Sequence, residues 1–104
     1  MNQRITLTDG SGRWFSPKAS SVYEEGSWWD GSNPISRATG SQWHHERLYR
    51  TKSGRWIKRW WSCVQGEGES YREISNEEAA KWLVENGHDP HPSCADEYAA
   101  LEIS

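Results

Sequence analysis

The stretch Gly54–Val64, GRWIKRWWSCV, sets three tryptophans and three cations within eleven residues. Successive side chains of a strand point to opposite faces. One face would then carry Arg55, Ile57, Arg59, Trp61 and Cys63, the other Trp56, Lys58, Trp60, Ser62 and Val64. The second set is mainly apolar, and Lys58 can extend its head to solvent while its stem lies on apolar surface. Trp56, Trp60 and Val64 are therefore expected in a core, with Arg55, Arg59 and Trp61 outward. Upstream lies WHHERLYRT, and the intervening Lys52–Ser53–Gly54 suits a three-residue hairpin turn whose glycine adopts a left-handed conformation. That register adds Arg47 and Tyr49 to the outward face; a different loop would exchange them for Leu48 and Arg50.

Working outward from this hairpin, residues 43–64, the loop QGEGES leads to Tyr71–Ile74, a further strand. A helix over 75–86 is the clearest element. Ser75 precedes Glu78 by three residues, the spacing of a capping box. Glu77 and Glu78 sit where the helix dipole favours anions. Ala79, Trp82 and Leu83 share a face, and Asn86–Gly87 is a stop signal. Trp82 is the expected anchor onto the sheet. The tail 88–104 contains prolines and suggests a short helix from Ser93, with Tyr98 and Leu101 on one side.

Before the hairpin, QRITLT alternates as a short strand, and the DGSG turn returns the chain through Arg13–Phe15. SPKASSVYEEG offers Ser16 as a cap, Pro17 at the first helical position and Gly26 as a stop, which suggests a helix. Residues 26–42, with their Gly, Ser, Asn and Pro, read as a long irregular loop in which Trp28 and Trp29 are expected to pack down over the sheet. The fold class is thus α+β: one small antiparallel sheet of about four strands with the 75–86 helix on one face, in a single domain spanning 1–104.

The apolar material is mostly aromatic. The chain has eight Trp and four Tyr but one Phe and one Met. Large aromatics bury about 150–250 Å² each, so a few can replace many aliphatics. The net charge of −3 conceals an asymmetry: residues 1–40 are neutral, 41–64 carry +5 and 65–104 carry −8. The basic and acidic parts are expected to neutralise one another, or the basic part to meet a partner. No apolar leader and no run of membrane-span length are present, so a soluble, cytoplasmic protein is expected, with no membrane contact. Two cysteines do not make a disulfide framework.

Exposed aromatics interleaved with arginine suit a protein interface, where Trp, Tyr and Arg dominate the binding energy. They also suit single-stranded nucleic acid, where bases stack and cations meet phosphates. A net negative chain disfavours the second. His88, His91 and Cys94, with Cys63, are competent metal ligands, but no CxxC pair accompanies them and no metal site is expected. His44 and His45 fall on opposite strand faces and cannot act as a pair. GEGES lacks the Lys-Ser/Thr of a phosphate-binding loop, and mid-strand Cys63 reads as a small buried hydrophobe. Neither a cofactor nor an enzymatic activity is expected, and nothing in the sequence sets an oligomeric state.

The motifs ITLTDGSGRWF, GSQWHHERLYRTKSGRWI and EISNEEAAKWLVENGHDPHP resemble a family of small bacterial proteins with no assigned function. The shared positions are Gly40–Trp43, His45, Glu46, Leu48–Thr51, Gly54–Trp56, Glu73–Ser75, Glu77, Glu78 and Trp82. Where relatives often read WSQWQG, this chain reads WSCVQG, which weakens any role for Cys63. The resemblance implies no mechanism. The expected function is a non-enzymatic interaction module, an adaptor or inhibitor of another protein, by analogy with compact inhibitors that phages and mobile elements direct against host defences. The partner-binding set is Arg47, Tyr49, Arg55, Arg59 and Trp61, with Trp28 and Trp29 as the second surface.

Overall fold

The computed structural model describes residues 3–103. Its centre is the expected hairpin, His44–Arg50 (β6) and Trp56–Ser62 (β7), named here by position in the chain order. Thr51 N–H donates to Arg55 O at 2.8 Å and Gly54 N–H to Thr51 O at 2.9 Å, so Lys52–Gly54 form the three-residue turn. Gly54 takes φ +88°, the left-handed conformation that glycine adopts without steric cost. The register pairs Arg47 with Arg59 and Tyr49 with Ile57. Glu69–Ile74 (β8) continues the meander on the far side of β7.

The remaining strands are short. Ile5–Thr6 (β1) pairs with Trp14–Phe15 (β2), Ser21–Glu24 (β3) with β6, and Ser27–Trp29 (β4) with Pro34–Ser36 (β5). Among the described residues there are thus three antiparallel sheets, the largest ordered β3-β6-β7-β8. The helix expected from Pro17 is only a 3-10 turn, Pro17–Ala19, after which the chain extends into β3. Ser-rich sequence followed by Val22 and Tyr23 favours a strand over a helix interior. The expected irregular loop 26–42 contains the β4–β5 hairpin, closed by Asp30.

The helix α1 spans Asn76–Glu85, and the Ser75 hydroxyl accepts from Glu78 N–H at 3.2 Å, as the capping pattern requires. A second helix, α2, spans Ala95–Ala99. Among the described residues no helix is long and apolar enough to cross a membrane.

Both faces of the main sheet are covered, where one covered face was expected. On one, Leu48, Trp56 and Ile74 meet Ala79, Ala80, Trp82 and Leu83 of α1, with Cys94 behind them. On the other, Tyr49, Ile57 and Tyr71 lie under Leu7 and Phe15 of the N-terminal hairpin. Phe15 sits 5.1 Å from Tyr49 and 5.9 Å from Tyr71 between ring centroids, both tilted contacts. Thr8 couples the layers, donating its N–H to Tyr71 O at 2.8 Å.

Other expected core positions are placed differently. Trp60 is partly exposed and stacks on His44, and Val64 lies exposed beyond β7. The Lys58 ammonium turns to Glu46, 3.6 Å away. Cys63 is exposed, because β7 ends at Ser62 before reaching it.

Candidate functional site

Arg47, Arg59 and Trp61 come together on the sheet face opposite α1. The Trp61 indole has the Arg59 guanidinium 4.3 Å and the Arg47 guanidinium 5.3 Å from its centroid. His45 adds a tilted ring contact at 5.4 Å. Cation–π attraction holds such a stack together. Arg59 Nη2 lies 2.9 Å from Glu69 Oε2, and Arg47 Nε 2.9 Å from Glu24 Oε1 as an ion pair without hydrogen-bond alignment. Arg47 Nη1 also donates to the Tyr49 hydroxyl at 3.4 Å; this bond, with Glu24 beside it, holds the guanidinium above its ordinary pKa. The carboxylates come from β3 and β8 rather than from the acidic helix.

Tyr49 and Arg55 do not join this stack. Tyr49 is buried beneath Phe15, because β1 and β2 cover the half of the face on which it lies. Arg55, at the turn end of β7, meets Glu73 with Nη1–Oε2 at 3.1 Å, and Arg13 binds the same carboxylate at 2.6 Å.

Trp28 and Trp29 do not pack down over the sheet. Among the large exposed side chains are Trp14, Trp28, Trp29 and Trp43, at 55%, 43%, 65% and 52% of their full accessibility. The hairpin that carries the adjacent pair is firmly built. Asp30 Oδ1 accepts from Ser32 N–H at 2.8 Å and Asn33 N–H at 2.7 Å, and those two bonds hold its carboxyl below the usual range. At the base, Ser36 donates to Glu25 Oε1 at 2.7 Å, and Gly26 N–H to Asn86 Oδ1 at 2.9 Å. A Cβ on Gly26 would lie 2.8 Å from Arg37 Cδ and 3.0 Å from Asn86 O, so a larger residue requires both the Arg37 side chain and the helix end to give way. Glu25 is a hub that local sequence does not announce: it also accepts from Glu46 N–H at 2.7 Å and faces His45 Nδ1 at 2.6 Å.

The histidines and cysteines are dispersed. His88 stacks on Trp82 and bonds Glu24 O at 2.6 Å, while His91 meets the Trp56 ring edge-on and its Nδ1 accepts from Ser93 N–H. Cys94 is buried in the core. Among the described residues no group of three His, Cys, Asp or Glu could hold a metal ion.

A cleft of about 680 Å³ opens between the N-terminal hairpin and the β6–β7 turn, lined in part by Trp14, Phe15, Arg13, Lys52, Arg55 and Glu73. Of these the sequence reading singled out Arg55 alone. Strand alternation through Trp14–Phe15 was the available signal, since one of two adjacent aromatics must point outward. No family model matches this chain, and no curated protein and no solved structure matches it either.

Proposed function

We propose that the protein is a non-enzymatic binding module that docks onto another protein, as an adaptor or inhibitor, through the Trp28–Trp29 hairpin. The observation behind this reading is that two adjacent, half-exposed tryptophans sit on a turn closed by Asp30 and pinned at its base to Glu25 and Asn86. Neither belongs to a core cluster of the fold. Tryptophan is among the commonest interface hot spots. A hairpin whose backbone is already held in one conformation loses less entropy on binding. The complementary partner surface is an apolar pocket with donors at its rim for the Asp30 carboxylate. Placement among small bacterial proteins is part of this proposal and rests on the GSQW and EIS motifs.

The alternative, a single-stranded nucleic-acid binder using Arg47, Arg55, Arg59 and Trp61, has less support. Each of the three arginines faces a carboxylate, from Glu24, Glu73 and Glu69 respectively. Affinity for a phosphate backbone depends on several cations open along one track, whereas Arg55 stands in a separate cleft, away from the Trp61 stack.

The test is affinity capture from bacterial lysate with the wild type and with a Trp28→Ser/Trp29→Ser variant of unchanged melting temperature. A protein recovered in near-stoichiometric amount by the wild type and lost with the variant is expected. Equal recovery by both overturns the reading. Retention of nucleic acid alone, falling steeply with salt, moves the function to the alternative.

A further inference from the structure

The cleft beside the β6–β7 turn shares no residue with the Trp28–Trp29 hairpin. Its volume of about 680 Å³ falls within the roughly 300–1,000 Å³ usual for small-molecule sites. Its wall is divided chemically. The Trp14 indole is half exposed, and the Arg4 guanidinium lies 4.7 Å from its centroid. Phe15, Leu7 and Ile57 form the apolar floor. Across from them the turn presents Lys52 and Arg55.

The lining has three cations, Arg13, Lys52 and Arg55, against the single carboxylate of Glu73. Arg13 is engaged at all three guanidinium nitrogens: its Nη1 donates to Glu73, its Nη2 to Asp9 and its Nε to Ser11. Its ion pairs with Glu73 and Asp9 keep the guanidinium above its ordinary pKa. Arg55 gives only Nη1 to Glu73, which fixes the guanidinium and leaves its other N–H groups open among the described residues. Lys52, exposed at the tip of the turn, has no carboxylate partner among them. Ser16 also lines the cleft, and its buried hydroxyl has no hydrogen-bond partner.

We propose that this cleft binds a small anion bearing a flat ring, the anion meeting Lys52 and the open edge of Arg55 and the ring lying against Trp14. Ammonium and guanidinium bind phosphate and carboxylate alike, and an indole face offers stacking to any planar ring. The ligand class is therefore a ring-bearing phosphate or carboxylate.

Titration calorimetry on the full chain tests this with adenosine monophosphate and indole-3-acetate as probes. Adenosine, inorganic phosphate and acetate supply the separate parts. At least one ring-bearing anion is expected to saturate with Kd below about 1 mM, and its separate parts to bind about tenfold more weakly or less. The arm that responds identifies phosphate or carboxylate as the anion. Lys52→Gln is exposed and should weaken that binding about tenfold with no change in melting temperature; Trp14→Ala should do the same, and Trp28→Ser/Trp29→Ser should have no effect. The proposal is overturned if neither probe saturates, if bare phosphate or acetate binds as tightly as the ring-bearing anion, or if Lys52→Gln binds as the wild type does.

Discussion

Trp82 fills the contact between α1 and the sheet and also satisfies its own polar atom, donating Nε1–H to Glu46 Oε1 at 3.0 Å. Truncation to Ala would remove a large buried ring and should cost about 3–5 kcal/mol. Urea denaturation would measure this, and an unchanged midpoint would show that the helix is anchored elsewhere. His91 gives a smaller, pH-dependent effect. Partial burial, with the nearby Arg50 cation, lowers its pKa below the ordinary 6.5. The folded chain thus favours the neutral ring, whose Nδ1 accepts from Ser93 N–H at 3.0 Å. The unfolded chain takes up the proton first as pH falls below 6.5, so the stability present above that value declines down to the folded pKa and then levels off. Urea midpoints at pH 7.5 and 5.5 should fall further for the wild type than for His91→Asn, which caps without titrating. Equal falls would remove His91 as the cause.

At the scale of elements, what could be read locally could be read from sequence. Helix α1 announces its start at Ser75 and its end at Asn86–Gly87, and the β6–β7 hairpin announces its turn at Gly54. Strands β3, β4 and β5 have four, three and three residues, too few for alternation to stand out. Their place is set by partners distant in sequence. Glu25 is the clearest case, for its carboxylate joins the β3–β4 connection to Ser36, His45 and Glu46, between eleven and 21 residues away. Glu25→Ala would leave the Glu46 amide without its acceptor, and such a loss should cost about 1–3 kcal/mol. Amide exchange should accelerate first at Glu46 and at the base of the β4–β5 hairpin. Uniform acceleration across the chain would mean that Glu25 does not hold that hairpin in particular.

Over the whole molecule, the alternation of β7 correctly separates Trp56 from Arg59 and Trp61. It does not tell that Tyr49 and Ile57 lie under a second cover, since that cover comes from residues near the start of the chain. Of the residues expected from sequence to meet a partner, Tyr49 is buried and the others divide among three places. Arg47, Arg59 and Trp61 share a stack, Arg55 stands in a cleft, and Trp28 with Trp29 form a separate projection. The double-sided sheet also bears on synthesis. Strands β6, β7 and β8 and helix α1 follow one another without interruption and close only short loops, which favours their early formation. The β1–β2 hairpin emerges from the ribosome before the main sheet, yet Thr8 bonds to Tyr71, 63 residues later. At about 5–20 residues per second this leaves Leu7 and Phe15 without their sheet for roughly 3–13 s. This hairpin is thus made well before the sheet that seats it, and until then its apolar side chains are open to chaperones and to neighbouring nascent chains.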